Sequence, residues 1–364
     1  MEQIPLVKPF IPPAEILMPA LQKILYSGYI AEGQSVYDFE ELFRNYIDNP
    51  YTLACSSGTA ALHIALKLCN VQRGDEVIST PLTAEPTNVA IAMTGAKVVW
   101  ADIDKTTGLI SPDSVKKCIT PKTKAIMLVD YGGMVCDLNA FQKIYIEYGI
   151  PIIEDAAHAL GSRYNGKYVG NISQYTIFSL QAIKHMTTVD GGFLALKTDK
   201  YLQRARCLRW FGLDKQKPRL ENDITECGFK YNMNNVNAVI GIVQMKYLDR
   251  IISSYISNGK FYDTALQNTS GVELLHYYNT SEPSYWLYTL KVERRAEFIK
   301  CLEGKGITAS PLHLRNDRHS IFADSKKDLP NLNEFYNKMV HIPCGWWVDD
   351  EKRNYIVEMI KKGW

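Results

Sequence analysis

TLACSSGTAALHIALKLC, residues 52–69, reads as a strand that passes through a tight turn at Gly58 into a helix with apolar residues at helical spacing. The same alternation continues outward. EVIST (76–80), KVVWADI (97–103), AIMLVD (125–130) and IPIIED (150–155) are short apolar runs that read as buried strands. Helix-length segments such as AFQKIYIEYG (140–149) separate them. Strand and helix in strict alternation predict a mainly parallel sheet with helices on both faces, an α/β fold. YTIFSL (175–180) and GFLALK (192–197) lie close enough in sequence to pair within that sheet. Beyond residue 245 the pattern changes. One long helix is expected over 236–267, then strand-like runs such as SYWLYTLKV (284–292), then a helix over 351–363. The division predicted is a large unit of residues 1–245, including the N-terminal segment, and a smaller α+β unit of residues 246–364.

Composition narrows the function classes. The 364 residues are 46% hydrophobic and 22% charged, which is ordinary globular usage and excludes wholesale disorder. Forty-one Lys and Arg against 39 Asp and Glu leave +2, no electrostatic footprint for nucleic acid or an anionic membrane. No apolar run reaches bilayer length, and MEQIPLVKPF at the start lacks the apolar stretch of a signal peptide. Eight scattered cysteines show neither a CxxC pair nor zinc-ligand spacing, so no metal site is expected and reduced thiols are. A cytoplasmic location is the expectation.

In an open parallel sheet, ligands bind beyond the carboxyl ends of the strands, and the unusual residues concentrate there. Ser56-Ser57-Gly58-Thr59 joins strand to helix, where free helical N–H groups and a hydroxyl suit a phosphate; a plain helix cap reads equally well. Glu154-Asp155-Ala156-Ala157-His158 ends a buried strand. A carboxylate there needs a cationic partner, such as a protonated ring nitrogen, or else caps the next helix. Lys184 lies in FSLQAIKHMTTVDGG (178–192), an apolar and hydroxyl-rich stretch able to desolvate an amine for Schiff-base chemistry. A solvated surface lysine is the ordinary alternative.

Taken in order, LVKPFIPPAEI, SGYIAEGQSVYDFEELF, SSGTAAL, IEDAAHALG, FSLQAIKHMTTVDGG and CGFKYNMNNVNAVIG span nearly the whole chain. Together they resemble the DegT/DnrJ/EryC1/StrS family of sugar aminotransferases, which have the three-layer, type I fold of transferases dependent on pyridoxal 5'-phosphate (PLP). The resemblance implies that Lys184 holds PLP covalently and shuttles the proton. It implies that Asp155 pairs with the pyridinium nitrogen, that Ala157 lies against one ring face, and that His158 stands where many members have Gln near the ring hydroxyl. Ser57, Gly58, Thr59 and Ser179 would hold the phosphate. Lys230 replaces the Asn through which the neighbouring subunit reaches that phosphate, which implies a homodimer with shared active sites.

Two departures from the family pattern stand out. PLTAEPTN (81–88) has Thr83 and no aromatic residue where many members cover the cofactor ring. LHLRNDRH (312–319) replaces a His-Tyr-Pro-like pattern, and its His313, Arg315 and Arg318 are candidates for a substrate phosphate or carboxylate, or else belong to a polar surface loop. His63 reads as a packed core residue. The activity implied is transfer of an amino group from an amino acid, L-glutamate by resemblance, to a keto sugar. A nucleotide-linked deoxysugar of the lipopolysaccharide O-antigen kind is the expected acceptor, and a carboxylated keto sugar is the alternative. A PLP-dependent sugar dehydratase would place His at the lysine position, and a non-catalytic regulatory homologue would normally carry a DNA-binding domain.

Overall fold

The computed structural model describes residues 3–364. Its centre is a seven-stranded sheet made of β1 (Thr52–Cys55), β2 (Glu76–Ser79), β3 (Lys97–Trp100), β4 (Thr123–Val129), β5 (Ile152–Asp155), β6 (Tyr175–Ser179) and β7 (Gly192–Leu196). The spatial order is β1-β7-β6-β5-β4-β2-β3. β3, β2, β4, β5 and β6 run parallel, while β7 is antiparallel to both of its neighbours. The expected pairing of the 175–180 and 192–197 runs is therefore present, with Phe178 opposite Phe193. Strands such as β4 are almost continuously apolar because helices cover both faces. The fold is the mainly parallel α/β architecture read from the sequence.

Helices α1 (Ala14–Leu25), α2 (Gln34–Ile47), α3 (Gly58–Leu68) and α4 (Glu85–Met93) precede or interleave the first strands. α3 starts where Ser57 Oγ accepts the Ala60 N–H at 3.0 Å, a side-chain cap at the carboxyl end of β1. The helix expected over 236–267 is two helices, α5 (Asn235–Met245) and α6 (Leu248–Ala265), joined at Lys246–Tyr247. No proline or glycine marks that break. Packing sets it, because α5 buries Ile240 and Val243 against Leu17 of α1, whereas α6 turns Ile251, Tyr255 and Tyr262 into a second core.

That second core surrounds a three-stranded antiparallel sheet, β8 (Val272–Leu274), β9 (Tyr288–Val292) and β10 (Met339–Ile342), and is closed by α7 (Asp350–Lys361). Packing crosses the 245/246 division in both directions. Ile4, Leu6 and Phe10, assigned on sequence to the large unit, pack into the second core, and the Ile4 N–H bonds to the Gly306 carbonyl at 2.8 Å. Phe322, Leu329, Leu332, Phe335 and Met339 return to the first core. All eight cysteines are free thiols, and no group able to hold a metal ion occurs among the described residues. Among the described residues, no helix is long and apolar enough to cross a membrane.

Candidate active site

The carboxyl ends of β1, β5 and β6 open onto one cavity of about 330 Å³. Gly58, Thr59, Asp155, Ala157, His158, Ser179, Lys184 and His313 line it, drawn from positions up to 255 residues apart. At its floor the α3 N-terminus meets the start of β7. A Cβ on Gly192 would lie 2.6 Å from the Gly58 nitrogen, and one on Gly58 would lie 3.1 Å from Ser179 Cβ. At Gly192 only glycine permits that approach, and Thr59 and Ser179 join Gly58 in lining the cavity beside it.

Asp155 is buried at the end of β5 and makes no salt bridge among the described residues. Thr87 Oγ1 donates to its Oδ2 at 2.7 Å and the Ala157 N–H donates to Oδ1 at 3.1 Å. The Thr83 and Thr87 hydroxyls are 2.7 Å apart. Because the Thr87 proton goes to the carboxylate, Thr83 is the donor of that second bond. Burial raises the Asp155 pKa, while the two hydrogen bonds and the Lys184 charge act in the opposite direction. The result is a desolvated carboxylate, held in place, with its need for a cation unmet by its immediate neighbours. Burial also pushes the Lys184 amine down to about 7, against the attraction of Asp155.

His158 Nδ1 accepts the Gly132 N–H at 3.2 Å, so the neutral ring keeps its proton on Nε2. Burial first, and the Lys184 charge second, hold its pKa well below the usual histidine value. His313 stacks parallel to His158 with 6.2 Å between centroids, and its Nδ1 lies 3.9 Å from Glu85. Burial pushes His313 down to about 4.

Other sequence candidates lie elsewhere. The Ser57 hydroxyl caps α3 and is absent from the cavity lining. Lys230 sits outside the cavity of its own chain, with Nζ 3.8 Å from the Trp210 ring centroid. Arg315 and Arg318 do not line the cavity. Asp317 takes Arg315 Nε and Nη2 in a bidentate pair at 2.7 Å each, and Asn333 takes Nη1 at 2.6 Å, so all three guanidinium nitrogens have partners within the chain. Arg318 borders a separate shallow groove with Lys326 and Lys327. The expected lack of an aromatic residue in the 81–88 segment leaves Thr83, Ala84, Glu85 and Pro86 as the wall there. His63 is packed as expected, 3.0 Å from the Tyr231 hydroxyl, with burial pushing it down to about 4.

Several residues of the site escaped the sequence reading. Thr87 follows Pro86 in the first turn of α4, an ordinary place for a threonine, and nothing local connects it to Asp155. Outside the cavity lining, Asp130 and Glu154 form a fully buried carboxylate pair, both raised by burial and Asp130 further by the Glu154 charge. Trp286 lies against Lys184 and His158 from the other core.

The cavity thus offers a helix N-terminus and hydroxyls for a phosphate, a buried carboxylate for a protonated ring nitrogen, and a depressed-pKa amine for a carbonyl. Known proteins agree with that reading. The family model described as the DegT/DnrJ/EryC1/StrS aminotransferase family matches residues 14–361. The sugar aminotransferase CalS13 from Micromonospora echinospora is 34% identical, with a TM-score of 0.96 over 99% of this chain and 100% of its own. SpsC from Bacillus subtilis, a spore coat polysaccharide biosynthesis protein, is 30% identical over 93% of this chain and 91% of its own. Spr1654 from Streptococcus pneumoniae, solved in PLP and PMP forms, is 28% identical, with a TM-score of 0.90 over 99% of this chain and 97% of its own. Sequence, fold and cavity together make this chain a member of the DegT/DnrJ/EryC1/StrS aminotransferase family, enzymes that work with pyridoxal phosphate.

Proposed function

We propose that this enzyme moves an amino group from L-glutamate to the keto group of a nucleotide-linked deoxysugar, in two half-reactions at one cavity. The observation that carries the reading is the convergence of Lys184, Asp155 and the α3 N-terminus on that cavity. The bound cofactor supplies an electron sink and carries the amino group between the half-reactions. Gly58, Thr59 and Ser179 hold its phosphate, and Ala157 lies along its ring. Asp155 pairs with the ring nitrogen and keeps it protonated, and Thr87 fixes the carboxylate for that task. His158 donates Nε2–H toward the ring hydroxyl. Lys184 binds the cofactor and, once free, moves the proton at the substrate carbon; an amine poised near pH 7 suits both parts.

The acceptor is read as a neutral sugar. With Arg315 committed to Asp317 and Glu85 at the cavity wall, this chain presents no arginine to a substrate carboxylate. His313 is the substrate-side residue retained. The dehydratase reading finds no support: Lys184 lines the cavity, whereas His185 bonds to the Ser284 carbonyl and packs on Tyr255. Lys230 is read as a contact to the cofactor phosphate of a second copy in a homodimer, a role compatible with its place outside its own cavity. SpsC's part in spore coat polysaccharide biosynthesis supports an amino sugar destined for a surface polysaccharide, such as O-antigen.

The test is an absorbance spectrum of the purified protein before and after L-glutamate. The expected outcome is a near-ultraviolet to visible cofactor band that changes on addition, with release of 2-oxoglutarate. Lys184→Ala should lose the wild-type band and turnover; full turnover in that variant would end the reading.

A further inference from the structure

Trp286 lies outside the cavity lining, yet it touches two members of the site. It is 1% exposed, in the second core, on the segment leading into β9. The Lys184 ammonium nitrogen lies over its ring, 3.9 Å from the centroid, and the His158 ring centroid is 4.0 Å away. Its Nε1–H donates at 2.9 Å to the carbonyl of Ile183, the residue before the lysine. One indole therefore grips both the main chain at the lysine and the end of its side chain.

The backbone that presents this indole is strained and over-determined. Tyr285 has a φ of 52°, a left-handed conformation that costs free energy in a bulky residue. Its neighbours are pinned to the loop after β4: Ser284 N–H to the Gly133 carbonyl at 3.3 Å, and Leu287 N–H to the Gly132 carbonyl at 3.1 Å. Gly132 in turn donates to His158. The Tyr285 hydroxyl is tied to Asp263 at 2.6 Å. A strained turn held by this many bonds fixes the indole's direction more tightly than core filling requires.

We propose that Trp286 is the positioning residue of Lys184. The indole face holds the ε-ammonium, and the Nε1–H clamps the Ile183 carbonyl, so the freed amine returns to one place for each proton transfer. The inference rests on Lys184 being the proton-transfer amine. It assigns a specific task to the second core, which supplies the electrostatic seat for a catalytic group carried by the first. A ring face attracts the charged amine and not the neutral one, so the indole opposes the desolvation that lowers the Lys184 pKa.

The experiment uses the full-length enzyme loaded with pyridoxamine 5'-phosphate, in which Lys184 is free. Trace labelling with isotopic acetic anhydride across pH 5–10, read by mass spectrometry of the Lys184 peptide, gives the midpoint at which the amine becomes reactive. Trp286→Leu should lower that midpoint by about one pH unit, the worth of a desolvated cation–π contact. Trp286→Phe, which keeps a smaller ring and covers the case in which the Leu variant does not fold, should shift it by less and in the same direction. Trp347→Leu removes another buried indole of the same core and should leave the midpoint unchanged. Equal midpoints in wild type and both Trp286 variants, or an upward shift, would overturn the proposal while leaving the aminotransferase reading intact. Full turnover in Lys184→Ala would remove that reading itself.

Discussion

Thr87 illustrates how much one hydroxyl decides at the residue scale. Its bond to Asp155 Oδ2 holds the carboxylate proposed to balance a cationic ring nitrogen. Thr87→Val keeps the shape and loses the donor. With about 1.5 kcal/mol for a hydrogen bond to a charged group, PLP should bind roughly tenfold more weakly, measurable by equilibrium dialysis. An unchanged Kd would mean that Ala157 N–H alone suffices to hold Asp155. Identity and role separate at this scale. Asp155 and Lys184 are recognisable because a carboxylate ending an apolar strand and an amine in an apolar stretch are each costly without a partner. Arg315 shows the converse: it looks like a ligand arginine in one dimension, but Asp317, two residues on, already satisfies it.

At the scale of elements, the ends of β4 and β5 carry Asp130 and Glu154, side by side and fully buried. Burial raises both pKa values, and the Glu154 charge raises that of Asp130 further. In the unfolded chain both lose their protons near pH 4. The folded state therefore holds on to a proton that the unfolded state releases, so stability is full below about pH 4 and declines as pH rises toward the raised pKa. Asp130→Asn removes the Asp130 share of that decline. Urea unfolding at pH 5 and pH 8 should show a smaller loss of stability in the variant than in wild type; an equal loss would mean that Asp130 contributes none of it. A second test concerns α5 on α2. A Cβ at Gly241 would lie 2.3 Å from Phe39 Cζ. Gly241→Ala should cost about 1–3 kcal/mol by overpacking, despite alanine's better helix propensity. A gain in the denaturant midpoint would show that the helices separate easily.

At the scale of the whole molecule, Arg209 ties together segments about 170 residues apart in sequence. Its guanidinium bonds Glu40 of α2 at 2.6 Å, Glu32 at 3.1 Å and the Ala54 carbonyl of β1 at 2.7 Å. The Glu40 carboxylate also accepts the Ala54 N–H. Arg209→Met would leave Glu32 and Glu40 buried with less compensation, at a cost of about 3–5 kcal/mol in unfolding free energy. A loss below 1 kcal/mol would show that Lys215 and Arg44, which also bond these carboxylates, carry the balance. Exposed Tyr26, Tyr29, Ile30 and Phe211 remain on the surface of the single chain. The homodimer reading predicts a sedimentation mass of twice 41.3 kDa; a monomer that turns over would remove the assigned role of Lys230.

The alternation of strand and helix, the glycine turn at residue 58 and the cost of burying Asp155 and Lys184 are local properties. The sequence by itself therefore determined the α/β sheet, the pairing of β6 with β7, and the cofactor chemistry that those residues suit. Which side chains meet is not local. The break between α5 and α6 carries no breaker residue and follows from two cores pulling on neighbouring turns. Ile4, Leu6 and Phe10 join a second core whose other members lie at residues 251–360, too far along the chain for any local pattern to show. Thr87 reaches Asp155 across 68 residues, and Trp286 reaches Lys184 across 102. Such contacts exist only once sheet order and core packing have been chosen, so tertiary structure alone decided which groups orient and seat the two residues that the sequence had marked.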